Sequence, residues 1–453
     1  MESTYRAAVL HGPENLRLES VPIPQIGPDE VLVQVKACSL CGSDLHAYLG
    51  QLPRIRFPRI LGHEFAGIIV QKGQKVSRWQ IGQRVCCSVD VTCETCELCR
   101  QGRRNLCESL QTIGFERDGA YGEWVKVPQG NLHSLPDALS FEEASMIQTL
   151  TIAYNAVRRR GEVRVQERVV ILGCGPIGLC ALAVAKASGA KVYMVDVLEY
   201  RLDAARAMGA DEAFNAARED VVRRVLDLGG GRGVDKVIEA AGGEQQATAA
   251  QATQLVKRGG IVVVAGTFAG DLAPMRINEI KSRELEVRGA RGDVDDFPAC
   301  IDLAASGRVS LDRMISHRVG LEEVEKGLRL MMAKGEKVLV RQPAALLQPG
   351  EIAIYTNSFT NAGKQPAEKV VVNNPVPANT EYLGGSATET GFDVVFSVDQ
   401  GKSFGKPKEL TVADGKGGKR PAEPKEYTNI RWTMQAPLKP GATGVVEFRV
   451  RVK

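Results

Sequence analysis

Val169-Val170-Ile171-Leu172-Gly173-Cys174-Gly175-Pro176-Ile177-Gly178 is the stretch on which the reading of this chain turns. Four apolar residues form a short buried strand and run directly into G-x-G-x-x-G, with Pro176 placed for the first turn of a helix. A second apolar strand follows at 191–195 and ends at Asp196. Gly173, Gly175 and Gly178 let the backbone around Pro176 and Ile177 approach a pyrophosphate at the positive end of that helix. Asp196 can accept hydrogen bonds from a ribose 2'-hydroxyl, and its charge would repel a 2'-phosphate, so NAD is favoured over NADP. Arg201 lies a few residues further on and keeps the NADP alternative open.

Outward from this turn the pattern stays α/β. Apolar runs at 169–172, 192–195, 237–240, 261–265 and 285–287 alternate with helical segments ending near Ser188 and Met208. Continuous Val and Ile runs buried on both faces imply a parallel sheet covered by helices. Amphipathic helices are expected at 298–306 and 321–334, with a last strand at 337–341. Residues 1 to about 150 read instead as an all-β, barrel-like domain, with strands at 5–10, 31–37, 65–70, 84–89 and 122–127 separated by Gly, Pro and Asn. Beyond Gln342 the composition changes again: neither Cys nor His occurs in 343–453. Strand-like runs at 352–359, 369–372, 392–398, 430–434 and 444–452 predict an antiparallel sandwich, tethered through the segment 343–350.

Cys93, Cys96, Cys99 and Cys107 make C-x2-C-x2-C-x7-C, a spacing that closes a tetrahedron of thiolates around a structural zinc ion. An iron–sulfur site and redox thiols are the other readings of such a run. The bacterial ferredoxin pattern, with three residues and then Cys-Pro after its third cysteine, is not matched here.

The 453 residues carry a formal net charge of +4, with no basic block dense enough to track phosphates, so nucleic-acid binding is not expected. No run reaches the length of a membrane span, and the first residues have no apolar signal core. All eleven cysteines lie between Cys38 and Cys300, which suits thiolates and metal ligands in a reducing cytoplasm better than a disulfide scaffold.

Two further segments carry candidate ligands: Cys41-Gly42-Ser43-Asp44-Leu45-His46 and Gly62-His63-Glu64-Phe65-Ala66-Gly67. A cysteine and a histidine at separate places in a β-domain can converge on a zinc ion that keeps one position open, or can simply be core residues. Taken together, C-G-S-D-x-H, G-H-E-x-x-G, the four-cysteine lobe and the G-x-G-x-x-G unit resemble, in order and spacing, the zinc-dependent medium-chain dehydrogenases. The sorbitol, L-iditol, threonine and sugar-acid branch is the nearest match, over about residues 5–341.

That resemblance implies a GroES-like barrel formed by 1–152 and 294–342, with a Rossmann domain, 153–293, inserted. It implies two zinc ions per chain, NAD as hydride acceptor, a small secondary alcohol as substrate, and a homodimer or homotetramer. It also implies that Cys41 and His63 hold the catalytic zinc with Glu64 beside them, and that Ser43 and His46 relay the alcohol proton outward. His46 is otherwise an ordinary surface histidine. Many relatives of this class carry a ligand glutamate where this chain has Gln148, so a neutral carbonyl oxygen is expected to complete the site and to hold the ion less tightly. Tyr48 is a candidate pocket residue. Arg291 is either a bidentate partner for a substrate carboxylate or a solvated surface arginine.

Val370-Val371-Val372, Asn374-Pro375-Val376-Pro377 and Ile430-Arg431-Trp432-Thr433 resemble the Ig-like conserved-repeat domains of bacterial surface proteins. The resemblance implies a spacer or binding role, or a gene fusion without selected function. A surface or carbohydrate-binding protein with a vestigial dehydrogenase half is therefore the alternative to a zinc- and NAD-dependent polyol dehydrogenase.

Overall fold

The computed structural model describes residues 4–453 apart from 244–246, 269, 271, 293, 335–337, 342–351, 362, 364, 378, 415–417 and 441. The tether expected at 343–350 and Lys337 of the last predicted strand lie outside the described residues. The chain divides into two compact units, Met1–Gln342 and Pro343–Lys453.

In the first unit the G-x-G-x-x-G turn sits in a six-stranded parallel sheet. Its order is Glu212–Asn215, Lys191–Asp196, Arg168–Leu172, Val234–Glu239, Val256–Val264, Glu286–Gly289. Strand order therefore reverses between Arg168–Leu172 and Val234–Glu239, and the glycine turn leaves the sheet at that crevice, where open α/β sheets bind ligands. Val169, Val170, Ile171 and Leu172 are fully buried, each worth about 1.5–3 kcal/mol of hydrophobic transfer. The strand Glu212–Asn215 and the helix Val221–Leu228 have no counterpart in the predicted elements. The strand is short with a single large apolar residue, Phe214, and pairing with Lys191–Asp196 makes it a strand.

The other half of this unit is a seven-stranded sheet around the long strand Glu30–Ser39, which pairs with Glu64–Lys72, Trp124–Pro128 and Val338–Arg341. The chain thus returns from beyond the parallel sheet, through His317–Gly320 and Val338–Arg341, to finish the sheet with which it began. The all-β expectation for residues 1–150 needs correction. Helices occupy Gly42–Tyr48, Phe141–Ser145 and Ile147–Tyr154. The helix Phe141–Ser145 starts at a Ser140/Glu143 capping box, a local signal that strand alternation had masked. Among the described residues no helix is long and apolar enough to cross a membrane.

The second unit contains two three-stranded antiparallel sheets. Thr443–Val452 lies between Ile352–Thr360 and Thr380–Tyr382, and Asn429–Met434 lies between Val371–Pro375 and Phe392–Ser397. Both contribute to one core around Trp432, Ile430, Phe448, Val446 and Phe396, and Trp432 Nε1 donates to the Thr388 carbonyl at 3.0 Å.

Candidate active site and metal centres

Cys41 is the residue before the helix Gly42–Tyr48, and the side chain of Asp44 turns back to accept from the Cys41 amide at 2.9 Å. The same carboxylate, fully buried, accepts from Tyr121 Oη at 2.8 Å and from the Gly62 amide at 3.3 Å. It also stands 3.2 Å from His63 Nδ1, an ion-pair approach rather than a straight hydrogen bond. One carboxylate thereby fixes Cys41, the turn before His63 and the imidazole itself, aiming Nε2 at the thiol side. Ser43 Oγ lies 3.2 Å from Cys41 Sγ and 3.4 Å from His63 Nε2.

Glu64 opens the strand Glu64–Lys72, is 1% exposed, and accepts from Thr149 Oγ1 at 2.9 Å. That bond ties the helix Ile147–Tyr154, which carries Gln148, to the start of the strand. Ligand atoms of Cys41, His63 and Glu64 all lie within 4.8 Å of one another, so one ion can touch all three. Burial pushes the His63 imidazolium pKa down, but Asp44 and the Cys41 sulfur outweigh it and hold the pKa well above the ordinary histidine value. Burial likewise pushes Asp44 up, and His63 brings it below the usual carboxylate range. The thiolate, imidazole and carboxylate donor set, gathered within 4.8 Å, suits zinc.

The four sulfurs of Cys93, Cys96, Cys99 and Cys107 also lie within 4.8 Å of one another. Cys93 and Cys99 Sγ are 4.0 Å apart, close to the roughly 3.8 Å edge of a tetrahedron with zinc–sulfur bonds of about 2.3 Å. Backbone amides of Thr95 and Cys96 bring the Cys93 thiol down to about 6. Burial, then the neighbouring sulfurs, push Cys99 up to about 12, a mutual repulsion that a divalent cation removes. The residues fit zinc at both places.

At the glycine turn Gly173 has φ +98°, and a Cβ there would sit 2.7 Å from Ala241. A Cβ on Gly178 would fall 1.9 Å from the Gly173 carbonyl, whereas one on Gly175 would meet nothing within 4 Å. The turn is packed behind and open in front, which fits a dinucleotide. The helix Pro176–Ala187 begins with Pro176 and has no side-chain cap, so its first amides are left for an anion. Asp196 is 8% exposed and already accepts from the amides of Cys174, Val197 and Leu198 at 2.8, 2.8 and 3.0 Å. Arg201 Nη1 stands 3.7 Å from it. The predicted ribose acceptor thus also ties the glycine turn to the second strand.

The two substrate candidates have partners within the protein. Tyr48 is fully buried, donates to Glu325 Oε1 at 2.7 Å and receives from Arg329 Nη2 at 3.0 Å. It docks its helix on Val324–Lys334. Arg291 Nη2 reaches both oxygens of the buried Asp90 at 3.2 and 3.1 Å, and Nη1 donates to the Asn105 carbonyl at 2.8 Å. Its guanidinium has an internal partner in Asp90, while its side chain stays 46% exposed. His46 is exposed one turn after Ser43, with Nδ1 2.7 Å from Gln51 Oε1. Asp44, Thr149 and Asp90 were not singled out from the sequence. Of these, Asp44 left a signal, the capping-box spacing Cys41-x-x-Asp44.

Comparison with known proteins agrees with this geometry. Residues 27–137 match the alcohol dehydrogenase GroES-like domain, and residues 176–306 match the zinc-binding dehydrogenase domain. Sorbitol dehydrogenase of Bacillus subtilis is 35% identical over 343 residues, 74% of this chain and 96% of that protein. L-galactonate-5-dehydrogenase of Escherichia coli is 33% identical, over 70% of this chain and 92% of its own length. A crystal structure of a zinc-binding dehydrogenase from Sinorhizobium meliloti bound to NADP superposes with a TM-score of 0.71 at 34% identity, covering 75% of this chain and all of that one.

Proposed function

The chain belongs to the zinc-binding alcohol dehydrogenase family, and from that premise we propose that it catalyses reversible, NAD-linked oxidation of a secondary alcohol on a polyol or sugar acid. The observation that carries this reading is the convergence of Cys41, His63 and Glu64 within 4.8 Å around a histidine held by buried Asp44. In it, Cys41, His63 and Glu64 hold the catalytic ion with Gln148 beside them, and Cys93, Cys96, Cys99 and Cys107 hold the structural one. A zinc ion at the first cluster supplies Lewis acidity that brings a substrate hydroxyl toward neutral pKa.

The chain's own residues do the rest. Ser43 Oγ, next to both Cys41 and His63, receives the hydroxyl proton as it gives up its own toward His46 on the same helix face, and His46 releases a proton to solvent. With Nδ1 donating to Gln51, His46 keeps Nε2 for that proton. Gly173, Gly175, Pro176, Ile177 and Gly178 seat the pyrophosphate, and Asp196 meets the adenosine ribose with Arg201 at its side. Arg291 is engaged by Asp90, which ranks a neutral polyol ahead of an aldonate.

The reading extends to a cytoplasmic homodimer or homotetramer. Pro343–Lys453 serves as an Ig-like spacer or binding module, a reading supported by its two antiparallel sheets over a shared Trp432 core. The test is a panel of sorbitol, other polyols, galactonate and gulonate with NAD and with NADP, together with zinc analysis. Expected are alcohol-dependent NADH formation, faster with polyols, and two zinc ions per chain. One zinc ion and no turnover of any alcohol would leave a vestigial enzyme. A higher kcat/KM with NADP than with NAD would remove the role given to Asp196.

A further inference from the structure

We propose that the four-cysteine lobe is a clasp on the chain leaving the parallel sheet, that the pair of buried Asp90 with Arg291 is its centre, and that this pair positions Gly292 against Gln148 at the active site. The inference deepens the dehydrogenase reading above and rests on it.

The lobe is an excursion between two short paired strands, Asp90–Val91 and Gln111–Thr112. Asp90, at its base, is 7% exposed, and its Oδ1 accepts from Thr112 Oγ1 at 3.4 Å as well as from Arg291. From within the lobe, between Cys99 and Cys107, two successive residues reach the same outgoing segment. The Asn105 carbonyl takes Arg291 Nη1, and Arg104 pairs with Asp295 while holding Glu94 at 3.3 Å. On its other side the segment is held by Arg159, paired with the buried Asp296 at 2.5 Å.

Between these anchors Gly292 lies against the helix Ile147–Tyr154. A Cβ on it would come within 3.0 Å of Ile152 Cγ1, 3.1 Å of Thr151 Oγ1 and 3.3 Å of Gln148 Nε2. Thr149 of that helix holds Glu64. A displacement of Arg291 is therefore passed, one residue on, to the helix that carries Gln148 and steadies Glu64. Asp90 is the buried member of the pair and Arg291 the half-exposed one, so loss of Arg291 would leave a buried carboxylate without its cation, and the two-point contact of Arg291 Nη2 on Asp90 favours one arrangement. In this arrangement Asp90 and Arg291 are positioning residues, and a metal in the lobe has a mechanical consequence at the catalytic site that its four closed ligands alone would not give it.

The test uses the full chain with its metals bound and compares Asp90→Asn, Arg291→Gln, the double variant, and Asp295→Asn at the exposed rim. Expected for Asp90→Asn are faster amide exchange in peptides covering 289–297 and 147–154 and a kcat for the alcohol lowered about tenfold, since small misplacements of reacting groups are costly. The dinucleotide Kd stays within about twofold and zinc stays at two per chain, because this path runs to the alcohol side. The double variant falls no further than the worse single variant, as expected of residues acting as a unit. Asp295→Asn gives a smaller rise in exchange confined to 289–297, and it serves as the readout should Asp90→Asn fail to fold. Unchanged exchange at 289–297 in both Asp90→Asn and Asp295→Asn, or losses that multiply in the double variant, would overturn the clasp. Its failure is separable from failure of the enzymatic reading, which is decided by wild-type turnover and metal content.

Discussion

Cys93, Cys96, Cys99 and Cys107 fall within one short excursion of the chain, whereas Cys41, His63 and Glu64 are brought together from a helix cap and a strand start. The first cluster is half exposed, polar and ordered by its own turns and backbone amides. The second has buried His63 and Glu64 beside a partly buried Cys41, and its geometry is enforced from outside by Asp44, Tyr121 and Thr149. The contrast teaches that a closed site can be specified by spacing alone, while a site that must keep a coordination position open needs the surrounding fold to hold its ligands apart.

Serine replacements separate the two clusters most sharply. Cys41→Ser should lower kcat/KM about a thousandfold, or roughly 4 kcal/mol of transition-state stabilisation. Its melting temperature should stay within about 2 °C of wild type, because the surrounding fold holds the site. Cys107→Ser should lower the melting temperature by roughly 10 °C, a few kcal/mol lost with the lobe. Calorimetry and steady-state kinetics on both variants check the pair, and equal melting temperatures would erase the distinction. Asp44→Asn comes next. It keeps the size of the side chain but loses the charge that orients His63, and should cost about 10–100-fold in metal affinity or activity; zinc content beside kcat is the measurement.

Metal release gives a third way to break the comparison. A mild chelator should take one zinc ion per chain together with activity, leaving the four-sulfur ion in place. Gln148→Glu should slow that first loss by about tenfold, because an anionic oxygen holds the cation more firmly. Simultaneous loss of both ions would abolish the contrast.

A last effect bears on stability at acid pH and leaves both metal clusters untouched. His133 stacks on Phe297 at 4.5 Å, and its buried Nε2 has no hydrogen-bond partner. Burial, then Arg78 and Arg104, bring its pKa down from 6.5 to about 4. Above pH 6.5 the ring is neutral folded and unfolded, and stability is intact. As pH falls from 6.5 toward about 4 the unfolded chain binds the proton first, so up to roughly 3 kcal/mol is lost. His133→Gln should flatten this limb in melting curves taken across that range, and an unchanged slope would clear His133 of it.

Legibility followed locality. The glycine turn with its flanking strands, and the four-cysteine run, were readable because everything they need lies within one βα unit or one loop. The helices Gly42–Tyr48 and Ile147–Tyr154 were absorbed into a β-rich reading because short elements beside Gly and Pro carry little periodicity. The partners of Tyr48, Glu325 and Arg329, lie far along the chain and leave no local signal. The same holds for Arg291, whose partner is the distant Asp90.

Sequence alone determined that a dinucleotide turn, a closed thiolate cluster and a Cys–His pair share one chain, since each is a matter of residue type at short fixed spacing. Tertiary structure decided which charges remain available to ligands. Asp44 is spent on His63 and Arg291 on Asp90, because an ion pair inside a protein is settled by which groups the fold buries together, and spacing along the chain does not encode that.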